Sequence, residues 1–235
     1  MNEGPPTVLL DLDGTLTDSA ALITEHLAAA ILTAGGPTFA PEELRPLVGP
    51  PFEYALPQLG LTDEQVAATV TAYRSSYGAV AATHTPLYPG IADLLDRLAG
   101  FRLALATAKP ERLAAEIIDG LDLTRHFALV GGSDPVGGRV GKGLVVASVL
   151  DRLDIDPTRD PVVMVGDRHH DVEGAAEHGV PAIGVAWGYA TTPEELADAA
   201  LVVPDVDALA DALLTWRTTG RLPVENEVAV INRPV

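Results

Sequence analysis

Two short acidic segments concentrate the chemistry this chain could perform. Asp11-Leu12-Asp13-Gly14-Thr15 places two carboxylates directly after a run of four apolar residues. Like charges held that close cost free energy on folding, and a divalent cation that prefers hard oxygen ligands, Mg²⁺ above all, offsets the cost. Gly166-Asp167-Arg168-His169-His170-Asp171 repeats the placement after the apolar run 161–165. Asp167 and Asp171 stand four apart and can share a face where a helix turn begins, with simple helix capping the plainer alternative. Taken together, the segments predict four carboxylates, Asp11, Asp13, Asp167 and Asp171, at the ends of two neighbouring strands and within reach of one magnesium ion. Few cations stand near them in the sequence, so the charge balance asks for that metal. A calcium loop of the EF-hand type is excluded, because Gly14 stands fourth instead of sixth and Leu22 occupies the twelfth position, where a glutamate is needed.

Two further positions suit a phosphate. Lys142 opens a predicted helix, where the helix dipole disfavours a cation by a few tenths of a kcal/mol (about 0.3) unless an anionic partner reverses the sign. Thr107, in Ala106-Thr107-Ala108-Lys109-Pro110, ends a predicted strand beside a helix start, where a hydroxyl and backbone N–H groups can meet phosphate oxygens. Each has a plainer explanation, a lysine reaching solvent and a threonine capping a helix. The glycine-rich stretch before Lys142 is not a P-loop: Val136 stands where its first glycine belongs, and Gly143 replaces the Ser or Thr that holds magnesium. His169 and His170 lack the spacing of zinc-binding motifs, and adjacent side chains on a helix start point in different directions.

The elements that must position these residues read as an α/β fold. Short aliphatic runs at 7–10, 103–106, 128–130, 162–165 and 182–185 suit strands buried on both faces of a parallel sheet. Helical periodicity fills the gaps at 89–98, 110–121, 143–153 and 172–178, with Pro110 at a first helical position. The alternation predicts a Rossmann-like, doubly wound parallel sheet. Residues 18–85 break it, with helix patterns at 20–34, 41–48, 52–59 and 63–82 and no strand-like run, as expected of an inserted all-helical cap domain. The expected division is therefore a core of 1–17 and 86–219, a cap of 18–85, and a C-terminal tail of 220–235 in which 228–231 could form a short strand.

Composition narrows the function classes. Of 235 residues, 33 are acidic and 15 basic, for a formal charge of −18. A surface this negative argues against nucleic-acid polymers and anionic membranes as partners. The absence of cysteine excludes disulfides, thiolate metal sites and cysteine nucleophiles. At 47% hydrophobic the chain can bury a core, and without a basic leader or a long apolar span it reads as a cytoplasmic protein. Thirteen of the basic residues are arginine; the two lysines, Lys109 and Lys142, both stand at presumed helix starts beside strand ends.

In this order, the DLDGT segment at 11–15, Thr107, Lys142 and the GDRHHD segment at 166–171 resemble the four motifs of the haloacid dehalogenase-like phosphohydrolase superfamily. The resemblance spans roughly 7–215, with the helical insert where that family places its first type of cap. Val48-Gly49-Pro50-Pro51-Phe52-Glu53, Tyr88-Pro89-Gly90 and the segment around Lys109 look like the phosphoglycolate phosphatase and bacterial 5′-nucleotidase-like branch. What the resemblance implies is specific. Asp11 would be the nucleophile that becomes an aspartyl-phosphate. Asp13 would protonate the leaving oxygen and then activate water, its backbone carbonyl binding Mg²⁺. Thr107 and Lys142 would hold phosphoryl oxygens, in a phosphate site that Asp11, Gly14 and Ala108 complete. Asp167 would bind the metal, and Asp171 would brace the metal shell or Lys142.

The resemblance also discriminates among activities. Dehalogenases carry no second acid at the place of Asp13. Phosphonoacetaldehyde hydrolysis needs a cap lysine, and 18–85 contains none. The leading expectation is a phosphomonoesterase acting on a small phosphorylated metabolite. A sugar phosphomutase of the β-phosphoglucomutase type and a non-catalytic binding relative are the alternatives. For the substrate, phosphoglycolate wants a cation or helix start in the cap, for which Arg45, Arg74 and the Gly49-Pro50-Pro51-Phe52 segment are available. A nucleotide wants an aromatic stack, for which Phe52, Tyr54, Tyr73 and Tyr77 are available. Arg168 is a further possible substrate contact, and Lys109 either supports the phosphate pocket or sits on its rim.

Overall fold

The computed structural model describes residues 4–49 and 52–223. Its centre is β1 (Thr7–Leu10), four residues buried on both faces. Around it lie β2 (Arg102–Pro110), β3 (Phe127–Ser133), β4 (Val162–Gly166), β5 (Ala182–Val185) and β6 (Leu201–Val203). The sheet order is β3-β2-β1-β4-β5-β6, and every pairing is parallel. β1 therefore has β2 on one side and β4 on the other, and the chain winds away from it in both directions. In open parallel sheets the crevice beyond the strand ends at such a switch point is where ligands bind.

The two-residue period of the strands sorts their side chains onto two layers. Val8, Leu10, Leu103, Leu105, Val163 and Val165 face one apolar cluster. Leu9, Ala104, Ala106 and Met164 face the other, where α7 (Lys142–Arg152) packs Val145, Val146 and Val149 and α8 (His169–Ala176) packs Val172 and Ala175. The first cluster continues without a break into the helices that follow β1, through Leu27, Ile31, Tyr73 and Tyr77.

Those helices are α1 (Ala20–Thr33), α2 (Phe52–Ala55), α3 (Asp63–Gly78) and α4 (Ala81–His84). The chain leaves and rejoins the sheet at adjacent points: Thr17 bridges Leu87, and the Asp18 N–H donates to the Pro86 carbonyl at 3.0 Å. After re-entry come α5 (Ile91–Arg97), α6 (Glu111–Gly120) and, last, α9 (Val206–Thr219).

Several expectations need correction. Pro41–Leu47 and Leu56–Leu59 are 3₁₀ segments, each containing a proline that cannot donate to the α-helical ladder. The predicted helix 63–82 is broken between Gly78 and Ala81. Pro110 is the residue before α6 instead of its first residue, because β2 runs on to Pro110 through an irregular register after Ala106. Thr107, Ala108 and Lys109 thus occupy an irregular strand extension at the C-terminal edge of the sheet. The strand β6 was not predicted. The possible strand at 228–231 lies outside the described residues. No helix among the described residues is long and apolar enough to cross a membrane.

Candidate active site

Asp11 is the first residue beyond β1, and its N–H donates to the Val165 carbonyl of β4 at 3.0 Å. Asp167 follows β4 directly, so adjacent parallel strands deliver both carboxylates to the same edge. Between Asp11 and α1 the chain turns tightly, with Gly14 N–H donating to the Thr17 carbonyl at 2.8 Å. Gly14 has φ +88°, and a Cβ there would run into the Asp167 carboxylate. Glycine is needed at 14 on both counts. Asp167 is fully buried; it accepts from Thr15 Oγ1 at 3.2 Å and from the Tyr189 N–H at 2.6 Å. Asp171 lies in the first turn of α8, where one oxygen caps the Arg168 N–H at 3.1 Å and the other lies 2.6 Å from Lys142 Nζ. Capping and site-building are both served by this one side chain.

Lys142 begins α7 but turns inward. It is 7% exposed, and its Nζ lies 2.7 Å from Asp11 Oδ1 and 2.9 Å from the Ala106 carbonyl. The solvent-seeking explanation of this residue is therefore wrong. Burial opposes its charge, yet Asp11 and Asp171 outweigh burial and hold its pKa above the ordinary lysine value.

Three carboxylates converge, not four. Oxygens of Asp11, Asp167 and Asp171 lie within 4.8 Å of one another. The Asp13 side chain instead turns toward α1 and β2, accepting from Ser19 Oγ at 2.5 Å and pairing with Lys109 Nζ at 2.8 Å. The neighbourhood is also less poor in cations than its sequence suggests, since both lysines of the chain reach it. Four carboxylates against two ammonium groups leave two negative charges. Burial pushes the Asp11 carboxyl up to about 6 despite the opposing pull of Lys142, and burial followed by Asp171 and Asp11 pushes Asp167 well above the ordinary carboxylate range. A buried, all-oxygen donor set with that surplus fits Mg²⁺ in charge and in ligand type.

The remaining expected residues divide. Thr107 is buried, and its Oγ1 accepts from the Lys109 N–H at 3.2 Å. Lys109 is buried between Asp13 and the cap side chain Tyr77, whose hydroxyl it reaches at 3.1 Å. It is buried and not on an exposed edge. Burial opposes its charge, but Asp13, Tyr77 and Tyr73 hold its pKa above the ordinary lysine value. Arg168 is committed to structure, donating to the Val48 carbonyl at 2.7 Å and to Glu195 at 2.7 Å. Arg45 lies over the Tyr189 ring at 5.5 Å, and Gly49, at φ +122°, sits beside Arg168. Phe52 opens α2, which at four residues is too short to act as an anion-binding helix start. Pro50 lies outside the described residues. His169 pairs with Glu195 at 3.1 Å, and neither histidine belongs to the carboxylate group.

Sequence reasoning missed Ser19, Thr15 and above all Tyr189. The Tyr189 hydroxyl donates to the Thr17 carbonyl at 3.2 Å and accepts the Ala20 N–H at 2.9 Å, while its own N–H holds Asp167. The signal was present: Trp187-Gly188-Tyr189 follows β5, and the strand-end rule applied to β1 and β4 applies there too.

Replacing Lys142 by methionine should cost about 3–5 kcal/mol of stability without magnesium, because Asp11 and Asp171 lose their shared buried cation. Thermal melts in chelator and in excess Mg²⁺ check this. A divalent ion should recover much of the loss, and an equal loss in both conditions would contradict the charge accounting.

Comparisons with known proteins agree on the family and differ in the activities named. A family model described as haloacid dehalogenase-like hydrolase matches residues 8–185. Tyrosine-protein kinase PtkA of Mycobacterium tuberculosis is 41% identical over 189 residues, covering 80% of this chain and 64% of that protein. The chain thus spans less than two thirds of that relative's length. A phosphoglycolate phosphatase of Agrobacterium fabrum is 32% identical over 216 residues, covering 88% of this chain and 92% of that one. A 5′-nucleotidase of Pseudomonas aeruginosa is 32% identical over 192 residues, with 80% and 86% covered. Among solved structures, a predicted phosphatase from Clostridium acetobutylicum superposes with a TM-score of 0.82 at 32% identity, covering 89% of this chain and 98% of that one.

Proposed function

The chain belongs to the haloacid dehalogenase-like hydrolase family, and we propose that it is a Mg²⁺-dependent phosphomonoesterase working through a phosphate ester of Asp11. The observation that carries this reading is the pairing of two neighbouring acids with different surroundings. Asp11 sits among carboxylates and Lys142, where a phosphoryl group and its metal are neutralised; Asp13 faces away from them, toward Lys109, Ser19 and the cap. Residues 18–85 serve as the cap over a core of 1–17 and 86–219.

An Asp11 oxygen attacks phosphorus and the bond to the alcohol oxygen breaks, with Asp13 giving its proton to that oxygen. Asp13, now ionised, takes a proton from water. The water oxygen attacks phosphorus, and the bond to Asp11 breaks to release phosphate. One Asp13 oxygen accepts from Ser19 and the other pairs with Lys109, which also contacts Tyr77, so the proton transfers of Asp13 are linked to residues 18–85 through Lys109. Lys142 and the N–H groups around Thr107 and Ala108 hold the phosphoryl oxygens. Asp11, Asp167 and the Asp13 carbonyl would hold Mg²⁺, with Asp171 fixing Lys142; when bound, the ion would neutralise charge on the transferring group. Splitting one displacement into two is the gain of covalent catalysis.

The expected substrate is a small phosphorylated metabolite, in keeping with relatives named for phosphoglycolate and 5′-nucleotides. The relative named as a tyrosine-protein kinase favours a second reading, transfer of phosphoryl to a tyrosine hydroxyl. Phosphate released into buffer with no acceptor supports hydrolysis; phosphotyrosine formed from ATP without it supports the second reading.

A direct test uses Asp13→Asn with p-nitrophenyl phosphate, whose leaving group needs no proton. The first step should survive and the second should stall. One equivalent of nitrophenolate is then released rapidly, and peptide mass spectrometry of acid-quenched protein places a phosphoryl group on Asp11. A phosphoryl group found elsewhere, or none, contradicts the mechanism.

A further inference from the structure

Resting on the phosphomonoesterase reading, we infer that the alcohol part of the substrate is uncharged and aromatic, not a small carboxylic acid. A cavity of about 720 Å³ opens between the cap helices and the end of β2. Asp13 stands in its wall and Asp11 does not. The acid that protonates the leaving oxygen therefore lies on the cavity side of the nucleophile, and the body of the leaving alcohol extends into the cavity. That volume falls within the range that encloses a drug-sized ligand, roughly 300–1,000 Å³. A two-carbon acid fills little of it.

The charges of the wall cancel. Its cations are Lys109, Arg74 and Arg112, and its carboxylates are Asp13, Glu53 and Glu116. Each cation is already paired with a carboxylate of the same wall: Lys109 with Asp13 at 2.8 Å, Arg74 with Glu53 at 2.6 Å, and Arg112 with Glu116 at 2.9 Å. Among the described lining residues, three cations stand against three carboxylates, so the wall offers a substrate carboxylate no net positive charge. Such a group entering here gives up hydration and meets as much negative charge as positive.

What the wall offers instead is apolar and aromatic surface. Ile23, Val70 and Leu113 line it together with Phe52, Tyr54 and Tyr73. Phe52 meets Tyr73 edge-on at 4.8 Å and 89°, and Tyr54 is 67% exposed, a large ring held at the cavity with little of its surface covered. Edge and face contacts to an added ring extend this cluster and add stabilisation beyond area burial alone. Benzyl-type esters and nucleoside 5′-monophosphates share the required chemistry, a phosphate on a primary alcohol that bears a neutral aromatic body.

The experiment compares kcat/KM in Mg²⁺ for benzyl phosphate, thymidine 5′-monophosphate, n-hexyl phosphate and 2-phosphoglycolate. All four are esters of primary alcohols, so leaving-group acidity does not dominate the ranking. At least one of the two aromatic esters should exceed both hexyl phosphate and phosphoglycolate by tenfold or more, and the better of the two identifies the source. Phe52→Ala and Tyr54→Ala should each reduce that aromatic preference several-fold. Phosphoglycolate as the best substrate, or hexyl phosphate equal to the aromatic esters, overturns the inference. If the wild-type protein hydrolyses none of the four, the phosphomonoesterase reading has failed. The affinities of the Asp11→Asn protein for the same compounds, measured by calorimetry, then still decide the ligand class.

Discussion

Asp11→Asn should abolish phosphatase turnover, by at least about a thousandfold in kcat, while leaving the protein folded. The amide is nearly isosteric with the carboxylate but cannot serve as the attacking anion, and it withdraws one charged ligand from the metal. Loss of fold is not expected. The carboxyl of Asp11 is pushed up to about 6 chiefly by burial, so its ionised form is disfavoured in the metal-free protein and a neutral group removes that penalty. Lys142 keeps Asp171 at 2.6 Å and the Ala106 carbonyl at 2.9 Å after the change. The melting temperature in chelator should therefore be unchanged or higher. Steady-state turnover of p-nitrophenyl phosphate, with a melt on the same preparation, checks both halves. More than a hundredth of wild-type turnover would remove Asp11 as nucleophile, and a melting point lowered by many degrees would recast it as a structural residue.

How much of this site was legible in the sequence depends on what fixes each side chain. Asp11 and Asp167 were legible because a buried parallel strand and the residue after it are set by local pattern, and adjacent strands must deliver their ends together. Lys142 was legible as an anomaly, a cation where a helix start disfavours one, and its anionic partners resolve the anomaly. The orientation of Asp13 was not legible. It is decided by Lys109 and Ser19, and Lys109 is in turn held by Tyr77 from a helix more than thirty residues away in sequence. Tyr189 escaped for a similar reason, since its hydroxyl is bound by groups some 170 residues away. The helical insert was visible as a block without strands. Its 3₁₀ segments at Pro41–Leu47 and Leu56–Leu59 were not resolved from α-helix, because apolar spacing alone hardly separates the two over one or two turns.

Removing magnesium should abolish activity, and it should also change how stability depends on pH. EDTA should bring turnover to background and added Mg²⁺ should restore it. Binding to the native state alone stabilises by about 2.7 kcal/mol at a hundred times the dissociation constant, worth roughly 5–11 °C in a chain of this size. The pH dependence follows from Asp11, whose native pKa of about 6 lies above its unfolded value of 3.8. Between those values the native metal-free protein holds a proton that the unfolded chain has released, so stability falls as pH rises through the window. The stabilisation from holding that proton is fully present below pH 4, on the order of 3 kcal/mol, and is lost by the time pH passes 6. Asp167, also raised by burial, acts in the same direction and carries the decline further upward. Magnesium reverses the trend, because it takes these carboxylates only when they are ionised. The gap in melting temperature between Mg²⁺ and EDTA should accordingly widen from pH 5 to pH 8. A gap that stays constant, or is widest at pH 5, would mean that the ion does not bind through Asp11 and Asp167.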